Sequence, residues 1–134
     1  YQLLPYTPYK KQTIKDLQPE QKKKSTLDSM TSQERKDRPI FSGVLDYFPD
    51  AIAYVALVSK LGNDKHNPGE PLHWAKKKST DHKDCIARHL IDAGKFDPDG
   101  VRHSGNLAWR ALANLQIEIE KERDLQKVSG AQNE

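Results

Sequence analysis

Apolar residues recur at helical spacing in three separate stretches, and the breaks between them are marked by Gly, Pro and Asp. From Asp50 to Leu61, the residues Ile52, Tyr54, Val55, Leu57, Val58 and Leu61 form a wide stripe. A helix with so wide a stripe is expected to be central. Asp46 lies in its N-cap region and Pro49 in its first turn, where a missing N–H has no helical partner. Gly62 is expected to end it as a C′ glycine. A second helix should start at residues 79–81, with Asp84 near its positive end, pass through Cys85, Ile86, Leu90 and Ala93, and stop at Gly94. A third should run from about Arg102 to Lys127 and bury Leu107, Ala108, Ala111, Leu112, Leu115 and Ile119. The fold class expected is all-α: a small bundle of about three main helices with long loops and an extended N-terminal arm.

Composition limits what this bundle can do. Apolar residues make up 35% of the 134 and charged residues 31%, so the core must be small. A protomer of this kind is expected to bury more by forming a homo-oligomer. Cys85 is the single cysteine, which excludes an internal disulfide and suits a reducing cytosol. No apolar run approaches the roughly 18 residues that cross a bilayer, so no membrane is expected. Tyr1 to Pro5 has neither the charged flank nor the apolar run of a secretory leader.

The net charge of +3 is unevenly spread. Residues 1–38 hold nine Lys/Arg against five Asp/Glu, whereas residues 39–134 hold thirteen against fourteen. A nearly neutral body lacks the clustered basic face of a nucleic-acid-binding core, so nucleic acid is not the expected partner. Residues 1–38 read as a basic arm, flexible or docked on a partner. Tyr6 and Tyr9, interleaved with Pro5 and Pro8, suit an extended segment that meets another protein, and Asp16 to Lys24 could form a turn or two of helix. Residues 39–127 are the helical domain, and residues 128–134 a polar, disordered tail.

Two polar stripes carry most of the chemical information. On the second helix His82, Cys85, His89 and Asp92 share a face, beside the apolar one. On the third, His103, Asn106, Arg110 and Asn114 do the same, and the Asp97-Pro98-Asp99-Gly100 turn between the helices adds two carboxylates. Facing one another, these stripes could build a metal-and-phosphate site. His and Asp can share a divalent ion, Asn can bond a base, sugar or water, and Arg88 or Arg110 can grip phosphate oxygens. The bland alternative is helix bridging and surface decoration. A zinc site from His82, Cys85 and His89 has workable spacing but lacks the paired-cysteine signature, and Cys85 also suits a small core position. The segment from Gly62 to Gly69, with Lys65 and Asn67, could cradle a polyphosphate or be an exposed turn-rich connection. It matches no standard phosphate loop. Trp74 could stack on a base or anchor its loop, and Lys76-Lys77-Lys78 reads as a solvated run.

The motifs Tyr47-Phe48-Pro49-Asp50-Ala51, Ser59-Lys60-Leu61-Gly62-Asn63, Lys65-His66-Asn67-Pro68-Gly69, Trp74, Arg88-His89-Leu90, Asp97-x-Asp99-Gly100-x-Arg102-His103 and Ala108-Trp109-Arg110-Ala111-Leu112-Ala113 occur in that order. Over residues 39–123 the chain thereby resembles the phage dATP/dGTP diphosphohydrolase-domain family. That resemblance implies an oligomeric, all-α, MazG-like enzyme in the host cytoplasm, converting a purine (d)NTP to the monophosphate and pyrophosphate with a divalent metal. Related enzymes hold Mg²⁺ with Glu-x-x-Glu on one helix and Glu-x-x-Asp on the next. The corresponding places here look like His89-x-x-Asp92 and His103-x-x-Asn106, a donor set better suited to Mn²⁺ or Zn²⁺ than to Mg²⁺. On this reading His89, Asp92 and His103 are the catalytic residues, and His89, Asp92, Asp97 and Asp99 the metal ligands. Lys65, Asn67, Trp74, Arg88, Asn106 and Arg110 bind the purine nucleotide. The alternative is a phage factor that binds a nucleotide, or a host protein, without catalysis.

Overall fold

A computed structural model of the chain describes residues 27–132. Its described part is helical, in agreement with the all-α expectation, and divides into two compact units at Gly43/Val44. The predicted turns of helix at 16–24 lie outside the described residues.

In the first unit, α1 (Ser32–Lys36) is one reciprocally capped turn. Thr31 Oγ1 accepts the Glu34 N–H at 3.2 Å, and the Glu34 carboxylate accepts the Thr31 N–H at 2.7 Å. These bonds hold the Glu34 carboxyl below its ordinary pKa. No residue of α1 is buried. Ser42-Gly43 falls within a π-helical turn, Phe41–Leu45.

The second unit contains α2 (Pro49–His66), α3 (His82–Ile91) and α4 (His103–Gln132). Pro49 sits in the first turn of α2, as expected. Gly62 does not end that helix, however, which continues through Lys65 to His66. A mid-helix glycine costs about 1 kcal/mol, so other contacts must carry the extra turn. Asn63 bonds the following loop, and the Lys60–Asp64 ion pair bridges successive turns at 2.6 Å. The Lys65-to-Asn67 segment is therefore a helix end rather than a phosphate loop. The second helix stops earlier than predicted, at Ile91, and Gly94 takes a left-handed φ of 91° in the turn beyond.

Helix α4 packs against both α2 and α3. At Gly105 an added Cβ would lie 2.5 Å from Tyr54 Cε1 and 3.1 Å from Val58 Cγ2, so the absent side chain is what lets α4 approach α2. The Tyr54 hydroxyl accepts the Arg102 N–H at 2.8 Å beside that crossing. Among the described residues the buried apolar side chains are Cys85, Val101 and Ala113, joined by the polar Asn63 and His82. The predicted stripe on α4 is corrected here. Leu112 and Leu115 are 52% and 51% exposed, and Ala111 and Ile119 also face outward. The inward face is instead the one bearing Gly105, Asn106, Trp109 and Ala113, and it meets α2 where Gly105 leaves room for the Tyr54 ring.

Candidate functional site

A cavity of about 970 Å³ opens between the C-terminal half of α2, the loop after it, α3 and the first turns of α4. Its geometry starts at Asn63. This side chain is buried in the last turns of α2, where it has no solvent partner and must bond protein. Its Nδ2 donates to the Glu70 carbonyl at 3.1 Å, and its Oδ1 accepts the His73 N–H at 3.2 Å. One amide thus ties down the loop that carries Asn67, His73 and Trp74 to the cavity wall.

The far side of that loop is tied to α4. Trp74 meets Trp109 edge to face, with ring centroids 5.7 Å apart. Lys76 lies over the Trp74 ring and bonds Glu120 at 2.6 Å, which keeps the Glu120 carboxyl below its ordinary pKa. The lysine run is therefore not uniformly solvated: Lys76 is a strut, and Lys78 lines the cavity.

The turn between α3 and α4 is organised by Asp97. Its Oδ1 accepts the N–H groups of Asp99 and Val101, both at 2.9 Å, and its Oδ2 accepts Asn106 Nδ2 at 3.1 Å. The Val101 N–H, then burial opposing it, then Asn106 set its acidity; the net effect is a pKa below the usual carboxylate value. The backbone closes the same turn through Asp97 N–H to Val101 O at 2.7 Å, with Gly100 at a φ of 80°. Asp99, one turn position on, pairs with Lys65 of α2 at 2.7 Å and raises the lysine's pKa.

Above this turn, His89 of α3 and His103 of α4 place their Nδ1 atoms 3.0 Å apart. One nitrogen donates and the other accepts, so at least one ring is neutral. Burial, followed by the nearby charge of His103, Arg110 and Arg88, pushes the His89 pKa down.

Of the residues picked out from the sequence, Lys65, Asn67, Trp74, His89, Asp97, Asp99, Asn106 and Arg110 line the cavity. His103 reaches it through His89. Arg88 turns away, bonding Cys85 Sγ at 2.9 Å and Asp81 at 3.5 Å. Asp92 caps α3 and pairs with Lys95 at 3.2 Å, outside the cavity. The residues proposed to hold a metal are thus dispersed, and no group of three His, Cys, Asp or Glu side chains suited to a metal ion occurs among the described residues. Asp97 already accepts three N–H bonds, and the Asp99 carboxylate is held by a lysine. In this arrangement the side chains do not fit a divalent ion. The same holds for His82, Cys85 and His89 as zinc ligands. Sequence reasoning gave Asn63, Lys78 and Trp109 no place in the site; Asn63, flanked by Gly62 and Asp64 in a polar stretch, carries no local sign of its burial.

No family model, curated protein or solved structure matches the chain. No single helix among the described residues is long and apolar enough to cross a membrane.

Proposed function

We propose that the cavity binds a purine deoxynucleoside triphosphate and that the chain is a (d)NTP pyrophosphohydrolase, acting in the cytoplasm of a phage-infected host. The observation that carries this reading is the convergence, in one cavity of about 970 Å³, of two tryptophans, three cationic side chains and His89, which is paired with His103 behind it. Ligand cavities of about 300–1,000 Å³ are the usual size for such molecules. Trp74 and Trp109 offer aromatic surface to the base. Lys65, Lys78 and Arg110 offer positive charge to the phosphates. Asn106 is held to Asp97 through its Nδ2, which leaves its Oδ1 as an acceptor for a base or sugar group.

Hydrolysis at the α-phosphorus forms a bond from a water oxygen to phosphorus and breaks the bridge to the β-phosphate, releasing pyrophosphate. The proton from water needs an acceptor. His89 supports that role because its depressed pKa keeps it neutral at pH 7, and its Nε2 lies outside the contact with His103. The test is incubation of purified protein with dGTP or dATP, with Mg²⁺, with Mn²⁺ and without either. Pyrophosphate release lost in His89→Ala supports the reading; no pyrophosphate in any condition sinks it.

A second reading, nucleotide binding without turnover, is favoured by the dispersed carboxylates and by the three N–H bonds to Asp97. Calorimetry that finds tight binding with no product selects it. A host-protein partner for the N-terminal arm is the third reading, and most of that arm lies outside the described residues.

A further inference from the structure

Resting on the hydrolase reading, we infer that His103 is the positioning residue of the proposed base: its Nδ1 accepts the His89 Nδ1–H and so leaves the His89 Nε2 lone pair free for the proton of the attacking water. The two Nδ1 atoms are 3.0 Å apart, with ring centroids 5.3 Å apart and ring planes inclined by 40°. A contact of that length between ring nitrogens holds one proton, since two lone pairs or two N–H groups would repel. Which ring carries the proton decides the chemistry. With the proton on His89 Nδ1, Nε2 is an acceptor. With it on His103, a neutral His89 keeps its own proton on Nε2 and is no base. Arg110 and Arg88 both act electrostatically on His89, and guanidinium groups only donate. A lone pair at Nε2 suits such neighbours better than an N–H. Asp97 acts in the opposite sense and more weakly, with its oxygens already taking three N–H groups.

Backbone bonds hold His103 in place for this role. Its N–H donates to the Lys95 carbonyl at 3.0 Å, and the Asp97 N–H donates to the Val101 carbonyl at 2.7 Å within the same turn. His103 thus begins α4 beside His89, which lies in the last turn of α3. His89 lines the cavity, and His103 stands behind it. In the reaction a water oxygen bonds to the α-phosphorus, its proton passes to His89 Nε2, and the bridge to the β-phosphate breaks with pyrophosphate leaving. The imidazolium so formed keeps its Nδ1–H bonded to a neutral His103 and then returns the Nε2 proton to water. A base oriented by a third group in this way needs no carboxylate behind it.

The experiment pairs a spectroscopic reading with kinetics, both on the full chain. With ¹⁵N-labelled histidine at about pH 8, above the ordinary histidine pKa, the ring shifts are expected to show His89 protonated at Nδ1 and bare at Nε2, and His103 protonated at Nε2. Loss of signals in His89→Ala and His103→Leu assigns them. In pyrophosphate release from dGTP, His103→Leu has no acceptor and should lower kcat by about tenfold or more with KM within about twofold, since a general base contributes about 10²–10⁴-fold. His103→Asn sets an amide oxygen near the place of the lost Nδ1 and should recover most of that rate. A His89 ring protonated at Nε2 overturns the inference and leaves the hydrolase reading standing wherever the wild type turns over. Equal losses in His103→Leu and His103→Asn make His103 a packing residue and overturn it too, as does an unchanged rate in His103→Leu. If His103→Leu does not fold, the ring shifts decide. A wild type that releases no pyrophosphate under any metal condition sinks the hydrolase reading, and this role with it, whichever nitrogen holds the proton.

Discussion

His89 shows how a single environment sets a protonation state. Burial, then repulsion from the His103 side and from Arg110 and Arg88, disfavour its charged form, and Asp97 only partly opposes them. The sign of the pH effect follows. Between the depressed pKa of the folded state and the ordinary value of about 6.5, the unfolded chain binds more protons than the folded one. Stability therefore falls as pH is lowered through that window and is unaffected by this residue above it. Thermal melts from pH 7.5 to 5 are expected to show a decline that flattens in His89→Asn; an identical slope in the variant would place the pH dependence elsewhere. Asp97 acts in the opposite charge class but in the same direction. Its carboxylate is stabilised by N–H donors, so its contribution is present above the ordinary carboxylate pKa and lost as pH falls through its lowered one. Replacing it as Asp97→Asn removes acceptor capacity toward Asn106 and should destabilise the unit by about 1 kcal/mol in urea titration.

Between elements, the decisive contact is the crossing of α2 and α4 at Gly105. Gly105→Ala gains helix propensity of about 1 kcal/mol but forces a methyl against the Tyr54 ring, which is itself held by the Arg102 N–H. Overpacking of that kind costs about 1–3 kcal/mol, so a net loss of stability is expected, and a gain would mean the helices can separate freely. The outer face of α4 makes the complementary case. Leu112 and Leu115 are about half exposed, so Leu112→Ala should cost less than about 1 kcal/mol, against about 2–5 for a buried leucine. A cost in the higher range that depends on protein concentration would show that a second copy covers this face. The helices themselves were legible in the sequence because apolar spacing and the prolines and glycines mark them. The inward face of α4 was not, since periodicity finds an apolar stripe without saying whether anything packs on it. Gly105 carries no apolar signal, yet it sets the crossing. The end of α2 was misread for a related reason: Gly62 is a stop signal locally, and the Asn63 bonds that override it come from a loop up to ten residues later.

At the scale of the whole second unit, the cavity is assembled from pieces that sequence shows only separately. The clustering of Asp97, His89, His103 and Asn106 was legible from helical spacing around the Asp-Pro-Asp-Gly turn. The outward turn of Arg88 and Asp92 was not, because residues on one helix face still diverge when their nearest partners are local, as Cys85 and Lys95 are. The two walls of the cavity also depend on different supports. The aromatic wall hangs on the Asn63 clamp and the Lys76–Glu120 strut, whereas Arg110 stands on α4, with no bond to that loop among the described residues. The two parts of a nucleotide should accordingly respond differently to one substitution. Asn63→Ala leaves two loop groups without their partner, at a cost of about 1–3 kcal/mol, and frees the segment bearing Trp74. In the fraction that stays folded, dGTP affinity should fall by about tenfold as the base loses its cover, while tripolyphosphate affinity changes by less than about twofold. Titration of both ligands into the same variant checks this. Equal weakening of the two would mean that the clamp supports the cavity as a whole, and the division of labour between loop and helix would be wrong.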